Sequence, residues 1–130
     1  MSIYFGEIIV GFNWDIKKKR NQKEKKLQVD ITSYLNGISD CFAFIVDVNA
    51  VPITTPTGIR FKANPMAGCP DILCCYNGLF LAFEVKVKPN KPTPKQKAFI
   101  NVINLANGKA FIVYSLFDVM SIMTEIINNK

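Results

Sequence analysis

Two apolar runs separated by two residues dominate the pattern. Ile72 to Tyr76 and Leu79 to Val87 are rich in β-branched, aromatic and aliphatic side chains, and Asn77-Gly78 stands between them. Asn-Gly between such runs predicts a β-hairpin with a type I′ turn, which needs φ > 0 at both central positions. Pro70 lacks an N–H and fits the beginning of the first strand. Upstream, Leu27, Ile31, Tyr34 and Leu35 fall on one stripe of a helix from about Gln22 to Asn36, with Gly37 as its stop. Cys41 to Asn49 reads as a strand, Ala50 to Gly58 as a loop around Pro52 and Pro56, and Ile59 to Ala63 as a strand of alternating apolar and basic residues. Downstream, Thr93-Pro94-Lys95-Gln96 opens a helix as a capping box, with Phe99, Ile100, Ile103 and Ala106 as its apolar stripe and Asn107-Gly108 as its end. Lys109 to Tyr114 is a continuous apolar strand. Coming after a strand and a helix, it should lie parallel to the strand that carries Glu84. Ser115 and Asp118 begin a last helix with Leu116, Val119, Met120, Met123, Ile126 and Ile127 on one side.

Residues 1–16 alternate loosely through Ile3, Phe5, Ile8, Val10, Phe12 and Trp14, broken by Gly6 and Gly11. They predict one or two short strands, added either to an edge of the sheet or across a homodimer. Apolar side chains left on a monomer surface would favour the dimer. The order of elements predicts an α/β protein, a mixed sheet between helices, as a single domain over residues 1–130 with 1–16 as an extension.

Charge and composition narrow the chemistry. The chain has 130 residues, a net charge of +6 and no histidine. A basic balance favours a polyanionic partner such as DNA. Without histidine, catalysis falls to carboxylates and lysine. Cys41, Cys69, Cys74 and Cys75 form no CxxC pair, which argues against zinc and suits the reduced thiols of a cytoplasmic protein. No apolar run approaches the length of a membrane span, and no secretory leader is indicated.

The hairpin register then brings the candidate chemistry together. With Asn77-Gly78 as the loop, Tyr76 pairs with Leu79, and Asp71 comes directly opposite Glu84. Lys86 lies two residues beyond Glu84, on the same face. Carboxylates opposed at about 5 Å repel unless something compensates. A hard divalent cation such as Mg2+ does so with one or two carboxylates and several waters, and the lysine beside it is placed to hold or activate a water. The runs Lys17-Lys18-Lys19-Arg20 and Lys23 to Lys26 read either as a solvated helix start or as phosphate contacts. Arg60 and Lys62 share one strand face, which fits an edge strand or a face that tracks phosphates. Lys88 and Lys95 flank the candidate site in sequence and join this nucleic-acid-binding set. Glu24 falls on the core-facing stripe one turn before Leu27. It is either a first-turn glutamate favoured by the helix dipole or a third carboxylate near the metal.

Pro70-Asp71 followed after twelve residues by Glu84-Val85-Lys86 resembles the PD-(D/E)XK nuclease signature. Together with Gly68-Cys69, Thr93-Pro94-Lys95-Gln96-Lys97 and the closing Ala110 to Ser115, it resembles the VRR-NUC branch over roughly residues 22–120. The resemblance implies a restriction-endonuclease-like α/β/α core and Mg2+-dependent hydrolysis of DNA, with Mn2+ as a substitute. It implies Asp71, Glu84 and the Val85 carbonyl as metal ligands and Lys86 as the residue that positions water. Glu24, followed by Leu27-Gln28, would be an accessory metal-binding acid, and Gln96 a helper that orients water or phosphate. Small members of the family suggest structured DNA such as four-way junctions, cut by a symmetric homodimer. Two rivals remain: a nucleic-acid-binding module of this fold that does not cleave, and a carboxylate–lysine site acting on a small anionic metabolite.

Overall fold

A computed structural model describes residues 2–46, 51–62 and 66–129; the side chains of residues 2–18, 51, 61 and 62 lie outside that description. The elements are α1 (Ser2–Asn36), β1 (Cys41–Ile45), β2 (Val51–Thr55), β3 (Gly58–Lys62), β4 (Ile72–Tyr76), β5 (Leu79–Val85), α2 (Pro94–Leu105), β6 (Lys109–Val113) and α3 (Leu116–Asn128).

The hairpin anchors the sheet. Asn77 and Gly78 both have positive φ, 49° and 85°, so the strands return with Tyr76 opposite Leu79 and Ile72 opposite Phe83. β1 joins β4 antiparallel and β6 joins β5 parallel, giving a four-stranded mixed sheet in the order β1-β4-β5-β6. Side chains alternate between its two faces. Ile72, Cys74 and Tyr76 of β4 and Leu81, Phe83 and Val85 of β5 pack with Ile31 and Leu35 of α1 and Val119 and Met123 of α3. On the opposite face Leu73, Ala82 and Ala110 meet Phe99, Ile100 and Ile103 of α2. The result is a mixed sheet between two helices on one side and one on the other, as predicted.

Two local expectations are corrected. Residues 2–16 do not form strands; α1 runs through them from Ser2, and Met1 lies outside the described residues. A strand needs a partner for its N–H and C=O groups, whereas a helix satisfies them internally. No proline interrupts residues 2–36, and Gly6 and Gly11 cost only about 1 kcal/mol each relative to alanine in a helix. Tyr4, Phe5, Ile8, Ile9 and Phe12 recur at steps of three and four, so the pattern read as alternation also had a helical period. The stretch from Ala50 to Gly58 is not all loop either: β2 pairs with β3 in a separate two-stranded sheet. Every strand in such a sheet is an edge, where Pro52 is tolerated. The end of the expected Cys41–Asn49 strand and Ala63 lie outside the described residues.

Both edges of the main sheet are closed by an asparagine from the preceding helix. Asn36 accepts from the Ala43 N–H at 2.8 Å and donates to the Ala43 carbonyl at 3.0 Å, on β1. Asn104 accepts from the Ala110 N–H at 2.9 Å and donates to its carbonyl at 3.4 Å, on β6. Each amide stands where a further strand would pair and so guards the edge against added chains. Asn36→Ala should lower stability by roughly 1–3 kcal/mol, because both Ala43 groups lose their partner. Urea unfolding measures this; a midpoint equal to wild type would mean that water serves Ala43 as well.

Candidate active site

The site sits at the end of the hairpin away from its turn. Asp71 and Glu84 are the next residues beyond the Ile72–Phe83 pair that ends the ladder, close enough for the charge of Asp71 to act on Glu84. Asp71 is fixed from two sides: its Oδ2 accepts from the Val85 N–H at 2.8 Å, and its backbone carbonyl accepts from the Val46 N–H at 2.8 Å. Glu84 is 1% exposed, the one buried charged residue among those described. Its Oε1 lies 3.4 Å from the Nζ of Lys86, whose side chain is 13% exposed. Its Oε2 is buried with no hydrogen-bond partner among the described residues.

The electrostatics follow from this crowding. Burial, and then the charge of Asp71, push the Glu84 carboxyl up to about 7, although Lys86 pulls the other way. Asp71 is also raised, first by burial and further by the charge of Glu24; the Val85 N–H and the Lys86 ammonium partly offset this. Buried Cys69 lies near enough to the pair that their charges add to the effect of burial in raising its thiol.

The remaining predicted residues divide. Glu24, on α1, acts on Asp71 through its charge, and Asn90 holds it by donating to its Oε1 at 3.3 Å. Asn90 was missed: a loop asparagine beside prolines carries no signal of a contact sixty-six residues away in sequence. Gln96 forms the capping box, its Oε1 accepting from the Thr93 N–H at 2.8 Å. That helix start is pressed against the segment leading to Asp71. Gly68 has φ 94°, and a Cβ there would lie 3.1 Å from the Lys95 Cβ and 3.2 Å from the Lys95 carbonyl carbon, so the close approach needs glycine. Lys19, Lys88 and Lys95 are exposed and Arg20 is half-buried. The Lys88 Nζ lies 5.9 Å from the centroid of the Tyr114 ring. Arg60 is exposed on the separate β2–β3 hairpin; the side chains of Lys17, Lys18 and Lys62 lie outside the described residues.

Among the described residues no three His, Cys, Asp or Glu side chains stand together as a ready metal cage. The donor set is two opposed carboxylates with Glu24 nearby. That suits Mg2+, which takes one or two carboxylates and keeps its waters, better than a metal that demands a full protein shell. The unpartnered carboxylate oxygen of buried Glu84 fits such an ion.

This backbone superimposes on a solved VRR_NUC domain with a TM-score of 0.55. The fold is that of a VRR_NUC domain. The match spans 78% of this chain and 95% of the other at 19% sequence identity, and at that identity the likeness is one of fold. No family model matches the sequence, and no curated protein matches it. The fold is the one expected from Pro70-Asp71 and Glu84-Val85-Lys86. Among the described residues no helix is long and apolar enough to cross a membrane.

Proposed function

We propose that this protein is a Mg2+-dependent DNA endonuclease that hydrolyses phosphodiester bonds at Asp71, Glu84 and Lys86. The observation that carries the reading is the buried Glu84 carboxylate, opposed to Asp71 and with Oε2 left without a partner. A buried polar atom without a hydrogen bond costs roughly 1–3 kcal/mol. A glutamine, or an apolar side chain, would avoid the repulsion with Asp71. A site that takes up a cation accounts for the carboxylate.

Asp71, Glu84 and the Val85 carbonyl would hold the ion, with Glu24 as an accessory acid; Mn2+ would substitute. Bound there, the ion supplies Lewis-acid stabilisation of phosphate charge and a more acidic water. Lys86 holds Glu84 in place and offers its remaining N–H groups to a water or phosphate oxygen. Gln96 contributes by fixing the start of α2 beside the site. Lys17, Lys18, Lys19, Arg20, Arg60, Lys62, Lys88 and Lys95 supply the phosphate contacts.

A cleavage panel of branched, flapped, duplex and single-stranded DNA with Mg2+ and with Mn2+ tests this reading. Cleavage that EDTA abolishes is expected, with four-way junctions among the substrates. No cut in any substrate with either ion would overturn it. A homodimer belongs to the same reading, since cutting two strands symmetrically calls for two sites. Sedimentation equilibrium should give a species of twice 14.6 kDa; a species of 14.6 kDa at micromolar concentration would remove the dimer.

A further inference from the structure

The sheet face that carries the acid pair continues into an aromatic surface that, among the described residues, no helix covers. Leu73 and Cys75 of β4, and Asp71 just before it, share that face with Phe80, Ala82 and Glu84 of β5, because Leu73 pairs with Ala82 and Cys75 with Phe80. β1 extends it: Phe44 pairs with Leu73 and Phe42 with Cys75. α2 packs on Leu73, Ala82 and Ala110, toward the β5–β6 side. Over β1 the face stays open, with Phe42 65%, Phe44 46% and Phe80 45% exposed and Cys75 exposed beside them. The Phe42 and Phe44 rings stand with centroids 5.8 Å apart, tilted by 39°.

We propose that Phe42 and Phe44 are a stacking platform for unpaired DNA bases, which selects substrates that expose such bases, in a single-stranded segment or at an opened branch point, next to the bond cut at Asp71 and Glu84. The proposal rests on the nuclease reading of that site and names its substrate class. Phenylalanine has no polar group, so its exposed ring offers a partner only apolar area and a π-face. Unpaired bases present such faces, whereas bases inside a duplex are stacked on one another. Phe44 lies beside Leu73, two residues along β4 from Asp71, or about 7 Å at the rise of a strand. Phe42 lies two residues further on. A strand whose phosphate sits at the acid pair therefore meets Phe44 first and Phe42 next. The net charge of +6 favours a polyanion as the partner of the chain. Asn36 closes the adjoining edge at Ala43, so an added β-strand is not the occupant.

Fluorescence anisotropy with an oligodeoxythymidine and with a duplex of equal length, in EDTA and at one salt concentration, tests the platform without any cleavage. Phe42→Ala/Phe44→Ala should weaken single-strand binding roughly 10–100-fold and change duplex binding less than about 2-fold. Phe42→Leu/Phe44→Leu keeps apolar area without rings and should lose most of the same affinity, while Phe42→Trp/Phe44→Trp should keep it. Urea midpoints like wild type will show that these exposed changes leave the fold intact. Alkylation of Cys75 should slow when the oligodeoxythymidine is bound. Unchanged single-strand affinity, or equal losses on single strand and duplex, overturns the proposal. So does a wild-type dimer that the leucine variant converts to monomer with DNA affinity unchanged, which would make the surface an interface between copies. Because the assay measures binding alone, a failed platform is distinguishable from a failed nuclease site.

Discussion

Glu84→Gln is expected to abolish cleavage and to make the metal-free protein more stable at pH 8. The two effects have one cause. Glu84 is buried against Asp71, and its carboxyl is raised from 4.5 to about 7. Between those values the folded state holds a proton that the unfolded state releases. Folding stability of the metal-free wild type is therefore full below about pH 4.5 and falls as pH rises through 7. The loss is on the order of 1–3 kcal/mol. Asp71 is raised as well, and its contribution has the same sign. Glutamine does not titrate, keeps the shape and can still meet Lys86, so the variant should show a flatter decline. Urea unfolding in EDTA at pH 5 and pH 8 gives both slopes. Mg2+ should then restore stability to the wild type at pH 8, as a ligand that binds only the folded state must, and should leave the variant unchanged. Asp71→Asn should likewise abolish cleavage. Full activity in either variant would remove the acid pair from the site, and parallel pH slopes would remove the buried-charge account of Glu84.

What could be read from the sequence was set by local chemistry. Asn77-Gly78 fixes its own dihedrals, so the turn determined the register and the register determined the opposition of Asp71 and Glu84. The capping box Thr93–Gln96 was legible for the same reason: donor and acceptor lie three residues apart. The misses fall where partner strands or distant residues decide. Residues 1–16 fit two periods, and the lack of a partner edge is a tertiary fact. Pro52 argued against a strand, and only the two-stranded sheet makes room for it. Asn36 and Asn104 look like ordinary residues near helix ends, and their role appears only when a sheet edge is folded against them. Glu24 stayed ambiguous because its stripe shows which side it faces, not how far it reaches; its charge on Asp71 and its contact with Asn90 are properties of the folded chain.

Lys86→Ala should reduce the rate of cleavage by roughly 10²–10⁴-fold, the range for losing a group that acts on a proton or a developing charge, while DNA affinity stays within a few-fold. Only 13% of the Lys86 side chain is exposed, and its ammonium is already engaged by Glu84 Oε1 at 3.4 Å. A lysine held in this way would be a poor anchor for a DNA backbone, which the exposed Lys19, Lys88 and Lys95 would meet more readily. Its position next to the carboxylate suits an interaction that strengthens as charge develops on the reacting oxygens. Truncation also leaves Glu84 without its cation, so the variant should hold a proton on that carboxyl to higher pH and require more Mg2+ for half-maximal rate. Lys86→Arg keeps the charge but replaces a compact ammonium with a broad planar fork, and should recover metal affinity more fully than rate. Single-turnover cleavage with enzyme in excess, combined with anisotropy at the same salt concentration, separates the two quantities. A loss of affinity that matches the loss of rate would make Lys86 a phosphate anchor, and an unchanged rate would leave it as no more than the structural counter-ion of Glu84.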